Sequence, residues 1–238
     1  MVGVMALAGT QARAAQELEV ASMSIEDLMN VEVTTVSRKS QRLTDTAAAA
    51  FVVTADDIQR SGSTSIPEAL RMVPGLEVAR ASGSRWAVTA RGFNGRFANK
   101  LLVLIDGRSA YSPFFSCVFW EAEDVLLEDV DRIEVIRGPG ATMWGANAVN
   151  GVINILTRNA RRTQGGLATA LVGNEGQRTG AVRWGAQVDE DTHYRLWAKS
   201  VRRDSVQASD GTPGADDVDA VRAGFRLDRD LSGTARVM

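Results

Sequence analysis

From Gly165 onward apolar and polar residues alternate in strand after strand, and a period of two admits only an extended chain with two unlike faces. Gly180, Val182, Trp184, Ala186 and Val188 alternate with Thr179, Ala181, Arg183, Gly185 and Gln187. Tyr194, Leu196 and Ala198 alternate with Arg195, Trp197 and Lys199. Val221, Ala223, Phe225 and Leu227 alternate with Arg222, Gly224, Arg226 and Asp228. With Leu167 to Val172 in front, this predicts four antiparallel strands of about 8 to 11 residues. Two short connections and one long one, Asp204 to Val218, join them. Such strands fit a water-facing sheet. They also fit the wall of a transmembrane barrel whose polar side faces the lumen.

Composition does not separate these readings, because half of every such strand is polar. It does exclude other classes. The 238 residues carry 27 Lys+Arg against 29 Asp+Glu, a net charge of -2, so no basic excess is available to neutralise nucleic-acid phosphates. One cysteine excludes a disulfide framework, and one histidine argues against a histidine-based metal or catalytic centre. The longest uninterrupted aliphatic run, Leu101 to Ile105, falls far short of the roughly 20 residues of a membrane helix.

The N-terminus places a short apolar stretch, Val2 to Ala8, before Ala12-Arg13-Ala14, the small-residue pattern of a secretory cleavage site between Ala14 and Ala15. No basic segment precedes it. Residues 1–14 are therefore read as a signal peptide and 15–46 as an N-terminal extension. Ser24 to Asn30 suits one short helical turn. Val31-Glu32-Val33-Thr34-Thr35-Val36 is β-branched and alternating within a polar flank, suited either to an ordinary edge strand or to pairing with a partner's sheet edge.

Residues 47–160 read as a compact α+β domain. Phe51-Val52-Val53 is a strand, and Thr54-Ala55-Asp56-Asp57 caps a helix that Gly62 ends. Ser65-Ile66-Pro67-Glu68 has the form of a capping box for a second helix, which Pro74-Gly75 stops. Leu76 to Val78, Leu101 to Ile105, Ile133 to Ile136 and Val152 to Leu156 are further strands. Asp106-Gly107 favours a type I′ hairpin turn with Arg108 to Tyr111 returning. The glycines after Arg137 lack the Lys-Ser/Thr of a phosphate-binding loop, and no Gly-x-Ser-x-Gly elbow occurs, so the domain shows no catalytic constellation.

Motifs spread over roughly Val31 to Arg158 occur in a particular order. They are Ser65-Ile66-Pro67-Glu68-Ala69-Leu70 with Val73-Pro74-Gly75-Leu76, then Arg91-Gly92-Phe93, then Leu101-Leu102-Val103-Leu104-Ile105-Asp106-Gly107. Asp131-Arg132-Ile133-Glu134-Val135-Ile136-Arg137-Gly138-Pro139 follows, and last comes Gly145-Ala146-Asn147-Ala148-Val149-Asn150-Gly151-Val152-Ile153-Asn154-Ile155. In that order they resemble the plug domain of TonB-dependent outer-membrane receptors, closest in wording to the cobalamin, colicin and siderophore receptor branches.

The resemblance implies an α+β plug, a small mixed sheet with short helices, followed by the first antiparallel strands of a transmembrane β-barrel of about 22 strands. Residues 165–238 would be an incomplete, truncated wall; four strands, with Thr234 to Val237 starting a fifth, do not close a barrel or insert stably alone. It implies energy-dependent uptake of a metal chelate such as a siderophore, or of cobalamin, across the outer membrane, with no enzymatic step and no cofactor. Its partners would be TonB with ExbB and ExbD. Val31, Glu32, Val33, Thr34, Thr35 and Val36 resemble the TonB box. Two loops, Ala79 to Ala87 and Ser112 to Ala122, would face the ligand, with Trp86, Tyr111, Phe114, Phe115, Phe119 and Trp120 as the contacts. Arg132, Glu134 and Arg137 would tie plug to barrel wall. The acidic connection Asp210 to Asp219 reads as an acidic disordered loop more readily than as a calcium site, Cys117 as incidental, and His193 as a solvated strand start. Two rival readings are a truncated fragment that does not transport and a receptor that only signals or serves as a docking site.

Overall fold

The computed structural model describes residues 3–6, 32–33, 41–42, 49–92, 95–112, 114–138, 144–145, 147–174, 176–206, 214–231 and 235–237. The chain divides into two compact units, one of Ala14–Ala81 with Arg85–Thr157, the other of Met1–Arg13, Ser82–Ser84 and Arg158–Met238. Three short strands come first: β1 (Gly3–Ala6), inside the expected signal peptide, then β2 (Glu32–Val33) and β3 (Gln41–Arg42), which pair antiparallel.

The α+β unit continues with β4 (Ala49–Thr54), α1 (Ala55–Ser61) and α2 (Ile66–Leu70). Thr54 caps α1 as its sequence predicts. Its hydroxyl accepts from the Asp57 amide at 3.2 Å while Asp57 accepts from the Thr54 amide at 2.9 Å, and Gly62 closes the helix in the left-handed region at φ 68°. Ahead of α2 the cap moves by one residue. Glu68 accepts from the amide and hydroxyl of Thr64, at 2.6 and 2.7 Å, and Ser65 makes no side-chain cap bond, which corrects the expected Ser65–Glu68 box.

The hairpin of β5 (Leu76–Arg80) and β6 (Trp86–Ala90) precedes β7 (Leu101–Ile105) and its return β8 (Arg108–Ser109). Asp106 at φ 48° and Gly107 at φ 82° give the positive dihedrals of a type I′ turn. A second small hairpin pairs β9 (Tyr111–Ser112) with β10 (Cys117–Val118). The two long strands β11 (Val130–Arg137) and β12 (Gly151–Thr157) complete a five-stranded mixed sheet in the order β4-β11-β12-β7-β8, with β12 and β7 parallel.

Every residue of β7 is buried because both faces of this sheet are covered. Leu101, Val103 and Ile105 join Val53, Ile58, Ile66, Leu70, Ile133 and Ile153 in the main core, while Leu102 and Leu104 join Ile136, Ala148 and Val152 in a smaller one. Asp106 fixes the far end of β7. Its carboxylate accepts from the Thr157 amide at 2.8 Å and the Thr157 hydroxyl at 2.7 Å.

The second unit is one antiparallel sheet, ordered β1-β13-β14-β15-β16-β17. It comprises β13 (Gly165–Val172), β14 (Arg178–Asp189), β15 (Thr192–Arg203), β16 (Val218–Leu231) and β17 (Ala235–Val237). At 12 to 14 residues, β14 to β16 are longer than predicted and exceed the roughly 9–11 residues that cross a bilayer. The alternation runs unbroken through β13 and β16 and slips in β14 and β15 toward their shared turn, where a bulge shifts the register between Gln187 and Asp189. Trp184 lies opposite Leu196 and Leu196 opposite Phe225, all exposed and making a row of apolar side chains across three strands. The other face carries Arg195, Lys199 and Asp228, all buried.

His193 belongs to that buried face, opposite Asp228, which corrects its reading as a solvated strand start. The Ser24 to Asn30 turn lies outside the described residues, as does the polar flank of the Val31 to Val36 segment apart from Gln41 and Arg42.

Candidate functional site: an aromatic hairpin tip

The β9–β10 hairpin folds because Ser112 pairs with Cys117 and Tyr111 with Val118, while the Ser116 amide donates to the Ser112 carbonyl at 3.0 Å with Ser116 in the left-handed region. Its base is anchored. Cys117 and Val118 are buried, and Trp120 lies in the main core. Its tip is not. Phe114 is 89% exposed and Phe115 61% exposed. An unbranched hydrophobic ring held out on a hairpin tip is a feature of recognition surfaces rather than of folding.

The exposed tip is joined by a segment that sequence reasoning missed. Phe97, from the loop that enters β7, stacks on Phe115 with ring centroids 6.4 Å apart and planes inclined by 26°. Phe119 meets Phe115 edge-on at 5.3 Å. The Arg96 guanidinium sits 5.3 Å from the Phe97 ring centre and 5.9 Å from that of Phe119, and it donates to Glu121 at 3.1 Å. Two residues along the chain from Glu121, Glu123 accepts from Arg108 at 2.7 Å. The signal for Arg96 and Phe97 was present in the chain as an arginine and a phenylalanine isolated in a polar loop between Arg91-Gly92-Phe93 and a buried strand.

Cys117 lies beneath the tip, its thiol pushed up from its ordinary range first by burial and then by the Glu121 carboxylate, with Arg96 opposing. A protonated, buried thiol is a poor nucleophile.

The other expected contact residues divide by burial. Trp86 is a core residue with the Arg71 guanidinium 5.2 Å from its ring centre, and Trp120 is likewise in the core. Tyr111 and Phe119 are half-buried. Among the expected ties to a barrel wall, Glu134 is fully buried and accepts from Arg132 at 2.8 Å along the same strand. Arg137 lies over Gly75, whose φ of 78° and missing Cβ make room for the guanidinium. Of the Val31 to Val36 segment only Glu32 and Val33 are described, paired with Arg42 and Gln41; Val31, Thr34, Thr35 and Val36 lie outside the described residues.

In the sheet unit, Asp216 accepts from the amides of Gly83 at 2.5 Å and Val206 at 3.0 Å, and Arg203 donates to the Gly83 carbonyl at 2.5 Å. The carboxylate therefore serves main-chain amides. Among the described residues no three His, Cys, Asp or Glu side chains converge as a metal site would.

Comparison with known proteins agrees with these features. Residues 42–152 match the family described as the TonB-dependent receptor plug domain. The vitamin B12 transporter BtuB of Vibrio cholerae is 30% identical over 202 residues, which are 84% of this chain and 32% of that protein. The chain thus spans about a third of the length of the curated relatives it matches. Among solved structures, the ferric-catecholate import receptor Fiu of E. coli K12 superposes with a TM-score of 0.64 at 22% identity, over 85% of this chain and 28% of that one. The pyoverdine outer membrane receptor FpvA of Pseudomonas aeruginosa PAO1 superposes with a TM-score of 0.67 at 19% identity, over 89% and 30%. These structures share the fold. With its ordered motifs, its mixed-sheet domain over the matched residues and its two-faced antiparallel strands, the chain carries a TonB-dependent receptor plug domain and is similar beyond it to TonB-dependent outer-membrane receptors.

Proposed function

We propose that this chain is the N-terminal part of a receptor that carries a scarce ligand, a metal chelate such as a siderophore or a cobalamin, across the outer membrane by TonB-coupled transport. No covalent step is involved. The ligand settles on the outer plug loops, of which the Phe114–Phe115 tip is the exposed part. TonB, energised with ExbB and ExbD, grips Val31–Val36 by adding a strand to it and pulls on the plug. The extended backbone of Glu32 and Val33 suits that grip.

The observation that supports this reading most is the reach of the similarity to vitamin B12 transporters, which runs through 202 residues and so through both the plug and the first strands. A chimera tests it, with this chain replacing the matching third of a vitamin B12 transporter in a host lacking its own. Uptake of labelled cobalamin or chelated iron above the vector control, abolished when TonB is deleted, is the expected result. Uptake at the control level for both would overturn the reading. Calorimetric titration of a Val31–Val36 peptide into the TonB C-terminal domain tests the box separately, and absence of binding heat would remove it.

A further inference from the structure

We infer that Arg96 and Phe97 complete a composite aromatic shelf with Phe114, Phe115 and Phe119, and that its compensated charge selects an uncharged ligand with a broad apolar face over a multiply anionic chelate. This rests on the plug loops being the ligand site and adds the loop of Arg96 and Phe97 and the discrimination by charge.

Three observations carry it. First, the shelf is built from two loops distant in sequence, and three of its rings remain open: Phe97 is 55% exposed even while stacked on Phe115, and Phe114 and Phe115 are exposed at the tip. A folding role would bury these rings, as it buries Trp86 and Trp120 nearby in the chain. Second, the shelf contains one cation, Arg96, already matched by Glu121 at 3.1 Å, and Arg108, whose partner Glu123 follows two residues after Glu121, is matched at 2.7 Å. An approaching anion meets as much negative as positive charge and gains no net attraction. Third, the Arg96 guanidinium lies by the Phe97 and Phe119 rings, and among the described residues its buried Nε finds no acceptor. It props the two rings as a flat support and presents no free fork to a carboxylate or catecholate. The chemistry that matches is a neutral, amphipathic macrocycle laid flat on phenyl rings, the class to which a corrinoid belongs.

The test is equilibrium binding of two probes, vitamin B12 and ferric enterobactin, to the full 238-residue chain in detergent. The expected result is tighter binding of vitamin B12, weakened about tenfold by Phe97→Ala and by Phe115→Ala, and restored by Phe97→Tyr, which keeps the ring. Glu121→Gln leaves Arg96 uncompensated and is expected to raise ferric enterobactin affinity about threefold to tenfold with no gain for vitamin B12. Phe97 is exposed, so its truncation leaves the fold intact, which unchanged thermal unfolding verifies. If Phe115→Ala weakens binding while Phe97→Ala and Glu121→Gln change nothing, the shelf is overturned and the plug-loop site stands. Preference of the unaltered chain for ferric enterobactin overturns the charge argument in the same way. Failure to bind either probe overturns both this inference and the ligand-site reading beneath it.

Discussion

The two units of this chain are built on opposite rules. In the plug, β7 is buried along its whole length, and a charge that enters the interior, Glu134, is held by Arg132. In the sheet unit, Phe225 is 79% exposed while Arg195 is 3% exposed. One segment hides its apolar side chains from water, and the other displays them and hides its charges. Both arrangements come from ordinary strand geometry, since the pleat only separates two faces. What differs is the medium each face is built to meet, and the display of Val182, Trp184, Leu196, Val221 and Phe225 is that of strands solvated by lipid.

The largest test of this contrast sets matched truncations side by side. Ile153→Ala in the plug core is expected to cost about 2–5 kcal/mol in denaturant unfolding of the chain in detergent, from lost burial and the cavity left behind. Phe225→Ala, which removes a larger side chain, is expected to stay within about 0.5 kcal/mol in the same assay. Equal losses would mean that the displayed face is covered by protein. Arg132→Ala probes the buried charge. Removing this ion-pair partner of Glu134 is expected to cost about 3 kcal/mol, read from the same unfolding curves, and Arg132→Lys to recover part of it.

Smaller effects sharpen the plug side. Gly75→Ala places a Cβ in the left-handed region and 2.7 Å from the Arg137 guanidinium, so a loss of about 1–2 kcal/mol is expected in the unfolding midpoint. Cys117 gives the mildest readout. Its raised thiol pKa keeps it protonated through neutral pH, and reactivity appears only as pH climbs above the ordinary thiol range. A thiol reagent at pH 8 should therefore label the folded chain several-fold more slowly than the urea-unfolded chain. Equal rates would show the hairpin base to be open.

Much of this was legible in the residues. The alternation of Val221, Ala223, Phe225 and Leu227 with Arg222, Gly224, Arg226 and Asp228 assigned each side chain to its face, because strand periodicity leaves no other choice. Asp106-Gly107 and Thr54 announced their turn and cap through chemistry confined to a few adjacent residues. Periodicity does not say what covers a face, and His193 was misread for that reason: it shares the polar face with Arg195 and Lys199, which is buried. The same holds for how far each aromatic residue is buried. Trp86, Trp120, Phe114 and Phe115 look alike in a loop sequence, and only the packing of β6 and β10 sends the indoles inward and leaves the phenyl rings out. The contacts of Arg96 and Phe97 are not legible in the sequence because their partners, Glu121 and Phe115, lie beyond β7. The Ser65–Glu68 box slipped by one because Thr64 offers Glu68 both an amide and a hydroxyl.

The inside-out character of the sheet unit is tested most directly along β16. Single cysteines placed from Val221 to Asp228 in a Cys117→Ser background, labelled with an environment-sensitive fluorophore, are read in micelles of brominated detergent. The account predicts a period of two, with strong quenching and blue-shifted emission at 221, 223, 225 and 227 and weak quenching at 222, 224, 226 and 228. Uniform quenching along the strand, or an alternation of opposite phase, would contradict it.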